Sequence, residues 1–338
     1  MNKLNEGHGE LLGWYDPDEM REWIRKNKSP ILKDKTMSVK EATTKFVKNN
    51  SYLASGGFGH VRVSMAIIHE IVRQKKKNLI ISGKTGVFDL DFLVAAGCVE
   101  KIDNAYGFGL ELRGLAKASR RKAESGQITV PAEWSNAALQ WRFKAAASGL
   151  SFLPGRIMLG TDTFKNSPAK VVTDPFTNKP ICLIPACYPD VAIIHVHRCD
   201  KYGNAQIDAN LVEDYELARA AKRLIITTEE IISIDEIRQK SWNTVIPYFY
   251  VDAVVTVPFG SHPCNMPNLY YSDEEHIAEY IEKTALDETT SEYFDKYVYN
   301  TKNFKDYLEL VGGKNKINYL QQLESGKNKF KYPWVKNK

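Results

Sequence analysis

The chain has 338 residues, 43% of them hydrophobic and 26% charged, enough to bury the core of one large α/β domain or two smaller ones, which excludes disordered, collagen-like and low-complexity classes. Lys+Arg 46 against Asp+Glu 41 leaves a net charge of +5, too dilute for the basic stripe of a nucleic-acid binder and better suited to a small anionic ligand. The five cysteines Cys98, Cys182, Cys187, Cys199 and Cys264 include no C-x-x-C pair, so neither a disulfide framework nor a Cys-rich zinc site is expected, and with no signal-like N terminus and no membrane-length apolar run the chain reads as a cytoplasmic protein without membrane or nucleic-acid partners.

Residues 1–36 are polar and read as an N-terminal appendage, with Asp16-Pro17 opening a short helix to Lys26. Ser38-Val39-Lys40-Glu41 is a capping box that starts a helix to about Val47 and the main domain, residues 37–271. Tyr52-Leu53-Ala54 predicts a strand, Ser55-Gly56-Gly57-Phe58-Gly59 a turn, and Val63–Gln74 a helix carrying Ile67, Ile68, Ile71 and Val72 on one side. The alternation continues with strand 78–82, helix 88–96 closed by Gly97, strand Ile102–Tyr106, a basic helix Leu112–Ser125, an extended Ile128–Val130 and an alanine-rich helix Glu133–Ser148. Strands follow at Ile181–Pro185, Val191–His197, Leu224–Thr228 and Val251–Val257, with a helix at Val212–Lys222. Their continuous apolar runs predict strands covered on both faces, so the expected fold is α/β, an open and mainly parallel sheet between helix layers. The tyrosine-rich residues 272–338 read as a C-terminal helical extension on the outside or on a partner.

Two adjacent glycines at the carboxyl end of a strand permit positive φ and close approach of another molecule, and a following helix N terminus offers N–H groups to an anion. Ser55–His60 therefore suits a phosphate or an oxyanion, or is simply a tight turn. It is neither a dinucleotide fingerprint nor a P-loop, and Gly83-Lys84-Thr85 lacks the earlier Walker glycine. In Tyr106-Gly107-Phe108-Gly109-Leu110-Glu111-Leu112-Arg113 the carboxylate of Glu111 is the candidate nucleophile or base of this chain, or an acid favoured by the dipole of the helix it precedes. His195 and His197 share a strand face; without a marked third ligand they read as hydrogen-bonded structural histidines, and no metal is expected. His262 in Pro258–Pro263 reads as loop architecture or a substrate-side residue, and Glu229, Glu230, Asp235 and Glu236 as an acidic, helix-opening turn in preference to a paired-carboxylate site. Arg113, Lys117, Arg120, Arg121 and Lys122 form a basic face that meets phosphates, solvent or a partner chain. No serine or cysteine triad is marked.

Taken in order, Ser55–Gly59, Ala146–Pro154, Val191–His195, Thr228–Ser233 and Val251–Val255 with Pro258–Pro263 resemble the α subunit of family I coenzyme A transferases, most of all the glutaconate type, over about Ser38 to Tyr271. The resemblance implies a hetero-oligomer with a homologous β subunit, which carries the catalytic glutamate at the interface. That carboxylate attacks an acyl-CoA thioester to give an anhydride; the thiolate returns to form a glutamyl thioester, and an acceptor carboxylic acid reverses the sequence. CoA enters as substrate, with no permanently bound cofactor. By the same carry-over Gly56, Gly57, Phe58 and Gly59 position the substrate, backbone N–H groups assisting its oxyanion; His60 and Arg113 are further candidates for binding it. Glu111 departs from the transferase pattern. Gly-Phe-Gly-Leu-Glu is similar instead to the α chains of steroid ring-cleaving CoA hydrolases, so C–C hydrolysis with Glu111 as base stands as an alternative, and a non-catalytic partner chain as another.

Overall fold

Short runs rich in Val, Ile and Leu fold as strands across residues 3–329, the part of the chain that this computed structural model describes; residues 330–338, the end of the expected C-terminal extension, lie outside it. In chain order the strands are β1 (Lys3–Glu6), β2 (Tyr52–Ser55), β3 (Leu79–Ser82), β4 (Val99–Ile102), β5 (Phe152–Gly155), β6 (Lys170–Thr173), β7 (Pro180–Pro185), β8 (Val191–Cys199), β9 (Ala205–Gln206), β10 (Arg223–Ile231), β11 (Thr244–Ile246) and β12 (Ala253–Thr256). Six form a parallel sheet in the order β4-β3-β2-β8-β10-β12, and the short β9 and β11 add to it antiparallel. This is the expected α/β sheet. Along β8, Val191 and Ile193 enter one core while Ala192, Ile194 and Val196 enter the other, so the strand is buried on both faces. Helices Val39–Phe46, Met65–Arg73 and Phe88–Ala95 cover the first core, and Asn136–Ala147 and Asp214–Ala220 the second.

A second sheet, antiparallel in the order β1-β6-β7-β5, lays Val171, Cys182 and Ile184 into the second core. Only β7 of this sheet is visible in the sequence; β1 reads KLNE and is exposed throughout, so no apolar alternation betrays it. Residues 3–36 are packed onto the main domain. Besides β1 they contribute buried Leu12 and Met20 to the second core, and Lys35 N–H and C=O bond to Lys201 and Val254 of the main domain.

Three boundaries shift for identifiable reasons. The strand expected over Ile102–Tyr106 ends at Ile102 because Asp103 is drawn into a buried cluster, accepting from Tyr52 Oη (2.7 Å), Trp134 Nε1 (2.6 Å) and Arg142 Nη1 (2.6 Å). The helix expected from Leu112 starts only at Lys117, after a 3-10 turn Glu111–Arg113 and Gly114 at φ 98°. The alanine-rich helix begins at Asn136, where Ser135 caps it by accepting from Ala138 N–H.

The C-terminal helices Glu274–Lys283, Asp287–Phe294, Phe304–Leu310 and Gly313–Glu324 are not an outer layer alone. Tyr280, Tyr293, Tyr297 and Tyr307 join the first core, each with its hydroxyl satisfied, by Asp91 (2.8 Å), His276 (2.9 Å), Glu279 (2.9 Å) and His262 (2.8 Å) respectively. A partner for the polar tip is what lets tyrosine serve as a core residue. Among the described residues no helix is long and apolar enough to cross a membrane.

Candidate functional site at the sheet's switch point

From β2 the parallel order steps outward to β3 and β4, and from the adjacent β8 it steps the other way to β10 and β12. A reversal of this kind opens a crevice beyond the carboxyl ends of the two central strands. Ser55 ends β2, so Gly56–His60 lies at that mouth, fastened to the neighbouring strand by Gly56 N–H donating to Ile193 C=O (2.9 Å).

The two halves of the glycine turn differ. Gly57, at φ 91°, would place a Cβ 2.4 Å from the Val61 carbonyl oxygen, and Gly56 one 3.0 Å from Ile194; both are small because their own chain packs on them. The exposed residue of the turn is Phe58, while Gly59, at φ 62°, is buried, with Glu111 Oε1 2.6 Å from where a Cβ would fall. The N–H groups of Phe58 and Gly59 donate to Val61 and Thr85 carbonyls, which together with the Gly56 bond removes three of the expected oxyanion donors. Among the described residues, Gly57 and His60 N–H meet no acceptor. Nor does a bare helix N terminus follow, since the helix starts at Met65 and Ala66 N–H already donates to Gly260 C=O (3.0 Å).

Gly59 is covered by the second candidate segment. Phe108 and Glu111 both hold positive φ, 62° and 57°, a conformation non-glycine residues adopt at a cost. The bend turns the Glu111 carboxylate back over the turn, with Oε2 3.5 Å from His60 Nδ1 and 3.4 Å from Arg113 Nη1. Burial holds the His60 imidazole below its ordinary range, against the pull of Glu111, and the hydrogen bond from His60 in turn holds the Glu111 carboxyl below the usual carboxylate range. At neutral pH the site thus presents a neutral imidazole and an ionised, 37% exposed carboxylate. Arg113 is fixed from below: its Nε donates to Glu274 Oε2 (2.7 Å) and its Nη2 to Glu274 Oε1, the carboxylate opening the C-terminal helices. Gly56, Gly57, Phe58, Gly59, His60, Glu111 and Arg113 are therefore neighbours in space.

The remaining candidates are elsewhere. His195 sits between Thr227 Oγ1 (2.8 Å) and Glu229 Oε1 (2.7 Å), and Glu229 also receives Tyr270 Oη and Phe259 N–H (2.6 Å each). His197 bonds Pro267 C=O and Asp208 N–H, and His262 bonds Tyr307 and Asp273. Among the described residues no three His, Cys, Asp or Glu side chains gather as a metal site. Glu236 caps its own helix at Ser233. On the basic helix, Arg121 is engaged within the chain by Thr284 and Ala285 carbonyls and Asp287.

What sequence reading misses is a cavity of about 810 Å³ beside the turn, lined by Phe58, Lys84, Gln140, Asp208 and Asn268 among others. Its residues come from five separate segments; Phe58 belongs to the glycine turn, and Lys84 lies in a Gly-Lys-Thr without the rest of a Walker motif.

The coenzyme A transferase family model matches residues 36–256. The chain belongs to the coenzyme A transferase family. It is 33% identical over 275 residues to the A subunit of 3-oxoadipate CoA-transferase from Pseudomonas knackmussii, covering 80% of this chain and 96% of that one. Over 301 residues it is 30% identical to the A subunit of glutaconate CoA-transferase from Acidaminococcus fermentans, covering 84% and 94%. The crystal structure of the Acidaminococcus glutaconate coenzyme A-transferase superposes with a TM-score of 0.81 at 29% identity, covering 85% of this chain and 95% of that one. A more distant relative is the cholesterol ring-cleaving hydrolase IpdA subunit of Rhodococcus jostii, 27% identical over 295 residues, 82% of this chain and 96% of that one. As a coenzyme A transferase of the α type, the chain is an enzyme subunit whose substrates are CoA thioesters.

Proposed function

We propose that the chain forms half of a transferase site with a homologous β subunit in the cytoplasm, moving CoA from an acyl-CoA to a carboxylic acid. The observation that carries this reading is the glycine turn at the sheet's switch point, exposed at Phe58 and rimmed by Glu111 and Arg113. In the proposed cycle the partner's glutamate carboxylate attacks the thioester carbonyl, and CoA leaves as thiolate. The thiolate then attacks the glutamyl carbonyl of the anhydride and expels the donor acid. The acceptor carboxylate attacks the resulting glutamyl thioester, and the returning thiolate completes acceptor-CoA and frees the glutamate. In this chain the uncommitted Gly57 and His60 N–H groups are placed to meet the carbonyl oxygen as it gains charge, Phe58 to shield the thioester from water, and Glu111 to keep His60 and Arg113 aligned as the chain's own acid–base group.

Carbon–carbon hydrolysis with Glu111 as base and a non-catalytic role are not favoured, since the transferase relatives match the chain at higher identity. The deciding experiment copurifies the chain with its β partner, incubates the pair with an acyl-CoA, and maps adducts by peptide mass spectrometry. A CoA thioester on a partner glutamate, discharged by a free carboxylic acid, is the expected result. Release of free CoA with no transfer, or an adduct on Glu111 itself, overturns the assignment.

A further inference from the structure

We infer that a second cavity, of about 180 Å³ at the amino ends of β10 and β12, binds a phosphate dianion, either free or as the monoester of a nucleotide. Nothing in it depends on the transferase reading above. Three observations lead there. The first is position. Arg223 opens β10 and Asp252 stands directly before β12, so the cavity lies at the edge of the sheet opposite the glycine turn, which follows the carboxyl end of β2. The nine residues of β10 put roughly 26 Å between those two edges. The facing wall is the segment Asn27–Lys35, so Lys28, Lys33 and Lys35 precede the stretch 36–256 that the family model matches.

The second is charge. Lys28, Lys33, Lys35, Lys45 and Arg223 line the cavity with one acid, Asp252. Its carboxylate is committed, accepting from Arg223 Nη1 (2.9 Å), Lys28 Nζ (3.2 Å) and Leu224 N–H (2.9 Å). Among the described residues Lys33, Lys35 and Lys45 enter no ion pair. Asp200, the other acid acting on Lys35, is taken up by the N–H groups of Tyr202, Gly203 and Asn204 (2.9 Å each). Burial is the main force holding the Lys28 and Lys35 ammonium groups below their ordinary value; Asp252 pulls both up, while Arg223 presses on Lys28, and Lys28 and Lys33 on Lys35. The excess needs no particular protonation state of this buried pair, since Arg223 with the exposed Lys33 and Lys45 already outnumbers Asp252 three to one. Cations gathered in a recess without counterions favour an incoming anion, and a dianion over a monoanion.

The third is fixed geometry. Lys28 Nζ donates to Tyr250 C=O (2.7 Å), Lys35 Nζ to Tyr248 C=O (2.6 Å) and Arg223 Nη1 to Asn27 C=O (3.1 Å). These bonds hold three cationic heads in place without neutralising them. Donors converging from several sides suit the four oxygens of a tetrahedral dianion. The volume is about six times a water's liquid share of about 30 Å³, room for one phosphate and the first atoms of an ester. A nucleoside attached to it would lie outside, against Phe46 and Phe249 of the rim.

The test is calorimetric titration of the full chain, with its β partner where one copurifies, using inorganic phosphate, AMP, adenosine and acetate. An ionic strength of about 0.15 M screens loose surface attraction. Phosphate or AMP should bind at least about tenfold more tightly than acetate and adenosine, and Lys35→Met should weaken that binding by about tenfold or more. Because Lys35 also braces Tyr248, the exposed pair Lys33→Gln with Lys45→Gln serves as the second variant, expected to bind roughly three- to tenfold more weakly at an unchanged melting temperature. AMP binding more than about threefold tighter than phosphate makes a nucleotide the ligand; equal or weaker binding makes it free phosphate. No binding of either dianion, acetate or adenosine binding as well as both, or affinities that neither variant lowers overturns the proposal. Loss of phosphate binding on adding stoichiometric acyl-CoA overturns it too, since the cavity then holds the substrate's own phosphates.

Discussion

Glu111 shows how a single residue can be placed against its own preference. Its φ of 57° is a region a residue with a Cβ enters at about 1–2 kcal/mol, and the return for that strain is a carboxylate held over Gly59 and beside His60. Glu111→Gly relieves the backbone and removes the carboxylate together. Its melting temperature should be unchanged or slightly higher than that of the unaltered chain, while kcat/KM for CoA transfer falls by about tenfold or more; a lower melting temperature with full activity would show that the residue serves the fold alone. The glycine turn supplies the opposite case. Gly57→Ala drives a methyl to 2.4 Å from the Val61 carbonyl, backbone that cannot rotate aside, at a φ that alanine resists. A loss of about 2–4 kcal/mol in urea unfolding is expected. Gly56→Ala, at an ordinary φ, meets Ile194 Cγ1 at 3.0 Å and the Ile193 carbonyl oxygen no nearer than 3.4 Å and should cost clearly less. Equal losses at the two positions would mean that φ and contact do not separate them.

At the scale of elements, the C-terminal helices do the work usually left to a partner layer. Helix Glu274–Lys283 sends Glu274 to Arg113 at the site and Tyr280 to the buried Asp91, and its Glu279 receives the Tyr297 hydroxyl and lies 3.7 Å from His276 Nδ1. The nearby His276 imidazole first, and the hydrogen bond from Tyr297, hold the Glu279 carboxyl down to about 2. A carboxyl lowered on folding contributes stability that is present above its unfolded value, near 4.5, and is lost as the pH falls toward 2. Glu279→Gln should therefore melt below the unaltered chain at pH 6, with the gap closing between about pH 4.5 and 2.5. A gap independent of pH in that window would show that the contacts act without the charge. The effect is modest because the carboxylate is 36% exposed and water screens it.

For the molecule as a whole, the parallel sheet was legible because strands covered on both faces carry continuous apolar runs, as in Val191–Ile194 and Leu224–Ile226. The antiparallel sheet was not, since β1 and β5 are too short and too exposed to alternate visibly. The same contrast runs through the site. Gly56–Gly59 and Glu111 announce themselves by residue type at the ends of elements, whereas Lys84, Gln140, Asp208 and Asn268 meet only when four distant segments fold together. Helix 117–124 illustrates a readable signal overridden by a helical pattern: Gly114 lies inside the span assigned to the helix and delays its start.

The tie between Arg113 and Glu274 has a consequence for the order of events at the ribosome. Every strand of the parallel sheet, and the whole stretch matched by the family model, has been synthesised by residue 256; the acid that anchors the guanidinium comes later. Up to that point Arg113 lacks the carboxylate that fixes it, so the reactive loop takes its final setting only when helix Glu274–Lys283 packs against the domain.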